Sequence, residues 1–598
     1  PAADWAEALY VFPLPDNAAV DHLRMQVGDR VIEGVIQERQ AARAQYEQAR
    51  QQGRRASLVE QERPNVFTTS VANIPPGAAV NVEIEYQQTV RYDAGAFHLR
   101  FPMVVGPRYV PAGAVPDAAR ITPPVQRPDD GPLNPLTLRI ELDPGVPVTG
   151  VRSPHHAIDV TPLGDGRFEV TLAAGAVPAD RDFELVWEPV AGAAPAATLL
   201  TEAVDDDVFA LLMVTPPTAA ALAAVRPPRE VVFVLDNSGS MHGASIEQAK
   251  SALKLALGRL TPADSFNVIR FNHTTDALYA GARPATPAGV AAAARWVEAI
   301  DAGGGTEMLP ALRLALDGAA HGGRLRQVIF LTDGGVGNER QLFDAIAARL
   351  GDSRLFTIGI GSAPNSHFMR EAARLGRGTF TYIGSPAEVQ VRMLALFAKL
   401  EAPALADVEL ELAGLPDAEV YPWPLPDLYL GEPLVVLVKG RTLPTLATLR
   451  GTLGGAPWQH EVALRESEPG AGLSVQWARA KIDALLDAER AGAAPAADVR
   501  ANVVNVALRH HLVSAYTSLV AMDVTPARPD GAALARHALK TNLPQGWDYE
   551  AVFGLGQGAT DAPLHLLLGA AALALASLIA LYGRRRAALA LVRRGRRA

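Results

Sequence analysis

The sequence predicts a multidomain chain in which a doubly wound, Rossmann-like α/β domain is flanked by β-rich segments and followed by a transmembrane helix. Between Glu230 and about Leu400, fully apolar runs alternate with amphipathic helical segments, which is typical of a parallel sheet covered on both faces. Before and after this part, short runs alternate polar and apolar residues as half-buried strands do. Near the end, residues 564–582 form an apolar stretch.

The bulk composition excludes several classes of function. The 598 residues are too many for one hydrophobic core and suggest about four domains. A formal charge of −9 disfavours a nucleic-acid partner, which needs a concentrated basic face. The chain has no cysteine, so disulfides, zinc–thiolate sites and cysteine nucleophiles are excluded.

The N-terminal part reads as two β-rich segments. In residues 1–112 the runs ALYVFPLP and VNVEIEYQQTV alternate as strands do, and residues 38–54 have high helix propensity. Residues 113–225 contain further strand-like runs between Pro/Gly turns, which suggests a continuation like a β-sandwich. Because the chain starts with Pro1, we interpret its beginning as processed or cropped.

The α/β domain is predicted over residues 226–402. Its strands are the apolar runs EVVFVLD, SFNVIRF, QVIFLTDG and RLFTIGIG. The predicted helices cover residues 245–259, 289–300, 310–320, 340–350 and 366–375.

The remaining chain is predicted to lead to a membrane. Residues 403–523 combine β patterning with helices over 477–490 and 498–515, and the Pro/Gly-rich residues 524–563 read as a linker. The apolar residues 564–582 are long enough to span about 30 Å. Seven arginines follow in residues 583–598, which predicts a cytoplasmic tail with the N-terminal bulk outside the cytoplasm. The alternative is a buried Ala/Leu-rich core helix.

Three segments of the α/β domain offer oxygen ligands for a metal ion. Asp236, Ser238 and Ser240 follow the first strand, Thr306 lies in the Gly-rich run GGGTEM, and Asp333 ends another strand. Ligands collect at the carboxyl ends of the strands of such sheets. Hard oxygen donors suit Mg²⁺, which keeps several waters, and Mn²⁺ or Ca²⁺ are further possibilities. Taken singly, each segment is also typical of an ordinary turn or helix cap.

The three segments VVFVLDNSGSM, GGGTEM and VIFLTDGG resemble the metal-ion-dependent adhesion site of von Willebrand factor A domains. The resemblance implies metal ligation by the five residues named above. The runs EALYVFPLPDNAAV, GVIQERQAARAQYEQAR, RPNVFTTSVANIPPG and FPMVVGPRYVP resemble a vault/inter-alpha-trypsin (VIT) domain, and ALRHHLVSAYTSLVAMD resembles the region after the A domain in inter-alpha-trypsin inhibitor heavy chains. The Asp-Pro-His-type ending that couples animal heavy chains to a glycosaminoglycan is absent, so that function is not implied.

The C-terminus resembles that of a bacterial, marine proteobacterial, group of sortase target proteins. Those chains end in an LPxTG-like motif, an apolar span and a basic tail. Here the corresponding residues 555–559 read LGQGA and lack the proline and the threonine. We therefore expect a retained membrane anchor rather than sortase cleavage.

These observations predict a non-enzymatic protein of the bacterial cell envelope, with a single membrane span. It would bind a protein partner with an exposed Asp or Glu through Mg²⁺. The alternatives are a docking scaffold that needs no metal and, least favoured, a metal-assisted hydrolase. His510 and His511 are interpreted as surface or packing residues, His242 as solvent-facing, and Glu307 as a helix-start acid.

Overall fold

The computed structural model describes most of the chain between residues 4 and 552. The described residues are 4–93, 95–107, 118–190, 197–214, 228–316, 324–401, 405–415, 417–423, 425–429, 432–442, 444–453, 456–464, 468–490, 492–550 and 552. Residues 1–547 form one compact unit, and residues from 548 onward belong to a second one.

The elements have the following bounds. The strands before the α/β domain are β1 (Trp5–Pro13), β2 (Ala19–Val27), β3 (Arg30–Glu33), β4 (Val35–Glu38), β5 (Arg54–Arg63), β6 (Val66–Ile74), β7 (Val80–Gln87), β8 (Arg91–Asp93), β9 (Ala96–Phe101), β10 (Pro135–Leu136), β11 (Arg139–Leu142), β12 (Val148–Arg152), β13 (Ile158–Gly164), β14 (Arg167–Leu172), β15 (Val177–Pro178), β16 (Phe183–Pro189), β17 (Ala197–Val204) and β18 (Asp207–Val214). Those of the α/β domain are β19 (Arg229–Asp236), β20 (Ser265–Phe271), β21 (Thr275–Ala277), β22 (Arg283–Pro284), β23 (Leu325–Thr332), β24 (Arg354–Ile360) and β25 (Phe380–Ile383). Those after it are β26 (Leu405–Leu412), β27 (Glu419–Tyr421), β28 (Leu434–Gly440), β29 (Leu446–Leu453), β30 (Ala456–Ala463), β31 (Glu468–Pro469), β32 (Thr517–Pro526) and β33 (Leu534–Ala538). The helices are α1 (Arg39–Gln51), α2 (Ala118–Ile121), α3 (Ala244–Gly258), α4 (Pro287–Glu298), α5 (Met308–Ala315), α6 (Glu339–Arg349), α7 (Ser366–Leu375), α8 (Val389–Glu401), α9 (Leu473–Arg490) and α10 (Ala496–Arg509).

The α/β domain is a twisted sheet in the order β21-β20-β19-β23-β24-β25. The strands β20, β19, β23, β24 and β25 run parallel, and only short strands at one edge are antiparallel. Alternate residues of β19 point into two apolar cores: Phe233 packs with α3 and α8, and Val234 packs with α5, α6 and α7. The doubly wound arrangement predicted from the apolar runs is therefore confirmed, because both faces of the sheet are covered.

The predicted helices of this domain are present with small shifts at their ends. The largest shift is in α5, which ends at Ala315 rather than at residue 320. The sequence analysis did not anticipate β25 and α8, which complete the sheet edge and one helical layer. Helix α8 was not predicted because some of its apolar residues face solvent. Val391, for example, is 70% exposed, so the apolar residues do not follow the helical period.

The N-terminal sheet contains strands from both ends of the chain. Its order is β33-β1-β6-β5-β32-β4, and β32 pairs antiparallel with both β5 and β4. The predicted linker over residues 524–563 is thus wrong for its first part, since β33 forms a parallel edge strand beside β1. The predicted helix 498–515 ends at Arg509 because the chain turns there: Leu512 and Val513 enter the core just before β32.

The remaining strands form further small sheets. The sheets β12-β16-β9-β8 and β11-β14-β13 share one apolar core that includes Phe183 and Val170. Strands β17 and β18 pair instead with β28 and β27, which follow the α/β domain in sequence. The strands of the β-rich segment predicted over residues 113–225 therefore lie in four different sheets, one of which is the two-stranded pair β10-β15.

Among the described residues, no helix combines the length and apolar character that a membrane crossing requires. The predicted span, residues 564–582, and the basic tail after it lie outside the described residues.

Candidate metal site

The first segment of the site follows the central strand of the α/β sheet. Strand β19 ends at Asp236, and its neighbours β20 and β23 are reached by crossovers in opposite directions, so Asp236 lies at the topological switch point. The Asp236 side chain is completely buried. Its Oδ1 accepts a hydrogen bond from the Ser238 backbone N–H at 2.8 Å, and the Ser238 and Ser240 hydroxyls lie 3.3 Å apart.

The second segment folds over the first. The Gly303 N–H donates to the Asn237 carbonyl at 2.8 Å, and the Gly239 N–H donates to the Gly304 carbonyl at 2.9 Å. Gly304 has a φ of +84°, and a Cβ there would lie 2.3 Å from His273 Nδ1, so this close approach requires glycine. Thr306, two residues after this glycine, is buried.

The third segment supplies the second carboxylate. Asp333 directly follows β23 and is buried. Its Oδ1 accepts a hydrogen bond from the Gly335 N–H at 2.9 Å, whereas its Oδ2 is buried without a hydrogen-bond partner. A buried carboxylate oxygen without a partner lowers the stability of the fold unless a cation or a hydrogen-bond donor binds to it.

Two buried carboxylates therefore face each other across this site. Burial raises the pKa of Asp236 to about 7, and the nearby charge of Asp333 adds to the increase. Burial also raises the pKa of Asp333, although a hydrogen bond from the Ser240 hydroxyl lowers it. The strongest influences on the two pKa values are burial, the charge of the neighbouring carboxylate and hydrogen bonds, and not the charge of a lysine or arginine. A metal cation is the natural counter-charge for such a pair.

The structure thus brings all five predicted ligand residues to one edge of the sheet. It adds Thr332, whose hydroxyl donates to Asp236 Oδ2 at 2.5 Å and accepts from the Gly334 N–H at 2.9 Å. The sequence signal for Thr332 is its position as the polar residue that ends the apolar run Val328–Leu331. A second added residue is Asn272, whose side-chain amide donates to the Gly303 carbonyl at 2.8 Å. Nothing in the sequence pattern relates Asn272 to the Gly-rich loop.

The two sides of the site differ in exposure. Asp333 lines a pocket of about 50 Å³ that residues from distant parts of the chain also line, among them Asn65, Pro107 and Trp547. On the other side Ser240 and Gly304 are half-buried and His242 is exposed, as the sequence predicted for that histidine. Glu307 directly precedes α5, and its side chain makes no capping hydrogen bond there.

Comparison with known proteins identifies two domains along the chain. Residues 1–86 match the family model of the vault protein inter-alpha-trypsin domain, and residues 229–382 match that of the von Willebrand factor type A domain. The chain carries both domains. We call them the VIT domain and the A domain below.

Several curated proteins share most of this arrangement. The human von Willebrand factor A domain-containing protein 5A is 26% identical over 574 residues, which cover 88% of this chain and 71% of that protein. A Dictyostelium discoideum von Willebrand factor A domain-containing protein is 23% identical and covers 75% of this chain and 46% of its own length. The mouse protein mono-ADP-ribosyltransferase PARP4 is 25% identical over 72% of this chain, which spans only 22% of that protein.

Solved structures include a von Willebrand factor type A protein from Catenulispora acidiphila. It is 21% identical, covers 52% of this chain and 84% of its own, and superposes with a TM-score of 0.34.

Proposed function

We propose that this A domain protein binds Mg²⁺ through Asp236, Ser238, Ser240, Thr306 and Asp333, and uses the ion to bind a protein partner that presents an Asp or Glu side chain. The observation that carries the proposal is the buried pair Asp236 and Asp333, with one carboxylate oxygen unpartnered. Mg²⁺ supplies the missing positive charge, and Mn²⁺ or Ca²⁺ are possible substitutes.

The donor set leaves the ion chemically unsaturated. Two carboxylates and three neutral hydroxyls give few charged ligands, and Mg²⁺ prefers octahedral geometry with some waters retained. A carboxylate from a partner can then replace a water and complete the shell. The half-buried Ser240 and Gly304 mark the side from which this partner would approach.

We further propose that the protein belongs to the bacterial cell envelope, with a single C-terminal span that anchors it. The support is the sequence alone: an apolar stretch over residues 564–582, followed by arginines in residues 583–598. In this arrangement the VIT and A domains lie outside the cytoplasm.

A second candidate function is docking to another protein without any metal. The observation that favours it is the cover over Asp333, where the pocket of about 50 Å³ has room for only a few water molecules. A metal-assisted hydrolase is the least favoured candidate, because the donor set matches a binding site and no general base lies beside the ligand residues in the sequence.

The proposal is tested with Mn²⁺ in place of Mg²⁺ in the full chain. Water-proton relaxation reports the waters that remain on the bound Mn²⁺. We expect a short peptide containing Asp to displace water and lower the relaxation enhancement, and the same peptide with Asn to leave it unchanged. Equal effects of the two peptides, or Mn²⁺ binding that survives in Asp333→Asn, would contradict the proposal. Peptide binding that persists in excess chelator would favour the metal-independent scaffold.

A further inference from the structure

A second group of possible metal ligands lies where the β-rich segment meets the A domain. His155 is in the loop between β12 and β13, Glu184 is on β16, and Glu388 is in the turn that precedes α8. One ligand atom from each of the three lies within 4.8 Å of the others. None of these residues belongs to the proposed Mg²⁺ site.

His155 has an unusual environment for a histidine. Its side chain is completely buried, and neither Nδ1 nor Nε2 has a hydrogen-bond partner. Nε2 lies 3.6 Å from Glu184 Oε2 and 3.5 Å from Glu388 Oε2. These distances exceed the usual 2.7–3.2 Å of an N–H···O hydrogen bond. A buried imidazole that makes no hydrogen bond needs an explanation. One recognised explanation is a metal ion bound between the ring and the two carboxylates.

The same distances fit the edges of a metal coordination shell. Zn²⁺ binds histidine nitrogen and carboxylate oxygen at about 2.0–2.2 Å, so two of its ligands in a tetrahedral site lie roughly 3.3–3.5 Å apart. The two glutamate oxygens lie within 4.8 Å of each other, so binding one ion would draw them together by up to roughly 1.4 Å. A mixed nitrogen and oxygen donor set suits Zn²⁺ better than Mg²⁺ or Ca²⁺.

Neighbouring groups hold the two carboxylates in place. His98 Nδ1 lies 2.9 Å from Glu184 Oε1, and Arg392 Nη2 lies 3.0 Å from the same oxygen and 3.1 Å from Glu388 Oε1. These contacts leave the Oε2 atoms turned toward His155, although Arg392 also reaches Glu184 Oε2 at 3.3 Å. Contacts of this kind orient metal ligands. With neutral histidines, the two glutamates and Arg392 sum to one net negative charge, which attracts a divalent cation.

Gly384 leaves the space that the group requires. A Cβ at this position would lie 2.6 Å from His155 Nε2 and 2.5 Å from the Tyr382 hydroxyl, closer than real Cβ contacts. Its backbone N–H donates to Glu388 Oε2 at 3.1 Å. An alanine here would therefore crowd the ligand atoms without removing any of them.

We propose that His155, Glu184 and Glu388 bind a transition-metal ion of the Zn²⁺ class. With three protein ligands, the fourth position belongs to a water from the adjacent cavity of about 490 Å³, which Glu184 and Glu388 line. Since Glu388 belongs to the A domain and the other two ligands to the β-rich segment, the ion fastens these parts together. The site is independent of the proposed Mg²⁺ site.

The test is Zn²⁺ titration of the untagged full chain by calorimetry, in buffer that contains saturating Mg²⁺. We expect one tight site in the wild type and at least a hundredfold loss of affinity in His155→Gln. The matched control is His156→Gln: the neighbouring ring packs on Phe183 and is not part of the cluster. This control and Asp333→Asn should keep the wild-type affinity.

Gly384→Ala is the second test variant, and it is used if circular dichroism shows that His155→Gln does not fold. It keeps all three ligands and should weaken Zn²⁺ binding at least tenfold. Bound Co²⁺ should also show the visible absorption of a four-coordinate ion, which His155→Gln removes. The proposal is overturned by a folded wild type that binds no Zn²⁺, which would leave a histidine–glutamate ion cluster only. Equal affinity in His155→Gln and His156→Gln, or unchanged affinity in Gly384→Ala, overturns it as well.

Discussion

At the scale of single residues, the buried carboxylates of Asp236 and Asp333 supply the negative charge of the proposed metal site. Asp236 and Asp333 each end an apolar run, so their meeting at one sheet edge follows from parallel pairing of β19 and β23. Their burial and the unpartnered Oδ2 of Asp333 could not be predicted, because residues from distant parts of the chain, such as Pro107 and Trp547, line that side. The group around His155 was missed for the same reason, since its members are separated by long stretches of sequence.

Thr332 should act as a positioning residue for the metal. Thr332→Val removes the hydroxyl that donates to Asp236 Oδ2 and leaves the Gly334 N–H without its acceptor. We expect Mg²⁺ affinity to fall about 10- to 100-fold and stability to fall by about 1–3 kcal/mol. Calorimetric Mg²⁺ titration together with thermal unfolding measures both effects.

The matched control is Thr357→Val on the adjacent strand β24. Thr357 is equally buried, and its hydroxyl donates to the Met369 carbonyl at 2.8 Å. This variant should lose similar stability and keep its Mg²⁺ affinity. Equal affinity losses in the two variants would mean that Thr332 acts only through general stability.

His510 should make stability depend on pH. Its ring packs 5.8 Å from the rings of both Phe209 and Trp477, which agrees with the packing role in our prediction. Burial lowers its pKa from 6.5 to about 4, helped by the positive charges of Arg509 and Lys439. The folded state thus favours the neutral ring, so this contribution is present above pH 6.5 and is lost as the pH falls from 6.5 to 4.

Thermal unfolding between pH 7.5 and 4 tests this expectation. The midpoint of wild type should fall more steeply with acid than that of His510→Gln. The control is His511→Gln, because that neighbouring histidine is exposed and should leave the wild-type slope intact. A slope that is the same in all three proteins would show that protonation of His510 does not oppose folding.

At the scale of elements, strands with a continuous apolar run were predicted from the sequence, and strands without such a run were not. The strands β19, β20, β23 and β24 read as continuous apolar runs because both of their faces are covered. Strand β32 was missed because the helix predicted through residue 515 left no room for the turn that separates α10, which ends at Arg509, from β32, which begins at Thr517. Edge strand β33 contains Arg536 and His537, which resemble linker composition.

The central sheet contains a buried ion pair at the end opposite the metal site. Arg229 and Asp264 are each 1% exposed, and Arg229 Nη2 lies 3.2 Å from Asp264 Oδ2. Asp264→Asn leaves a buried guanidinium without its counter-charge and should destabilise the A domain by about 3–5 kcal/mol. The exposed pair Arg270–Asp276 offers the control, since Asp276→Asn should cost at most about 1 kcal/mol.

Denaturant unfolding followed by a probe in the A domain compares these two variants. Both substitutions remove one carboxylate charge, one directly before β20 and the other on β21, and the expected difference arises mainly from the burial of Asp264. Similar losses for Asp264→Asn and Asp276→Asn would show that the Arg229 charge is solvated despite its burial.

At the scale of the whole molecule, the two ends of the described chain meet in one sheet. Strand β32 follows β5 by about 450 residues in the sequence, yet in the sheet it lies between β5 and β4. It therefore completes the sheet of the VIT domain. The resemblance of ALRHHLVSAYTSLVAMD to the region after the A domain is explained by this pairing, since those residues include the start of β32. The family model for the VIT domain ends at residue 86 and does not include this strand.

Proline substitution in β32 tests this dependence. Ala521 is completely buried and pairs with Ser57 of β5, so Ala521→Pro interrupts the strand ladder. We expect faster amide hydrogen exchange in β5 and β6, with protection of β19 and β23 unchanged. The control is Val524→Pro, because Val524 is 81% exposed and outside the paired register. Unchanged exchange in β5 after Ala521→Pro would contradict a structural role of β32 in the VIT domain.

The most direct test of the account as a whole is a calorimetric titration of Mg²⁺ into the full chain. The wild type is compared with an Asp236→Asn, Asp333→Asn double variant, and Asp276→Asn is the control for removal of a carboxylate elsewhere in the A domain. We expect saturable binding at one site in the wild type and the control, and none in the double variant. A folded wild type that binds no Mg²⁺, or a double variant that binds as well as the wild type, would contradict the metal-dependent function.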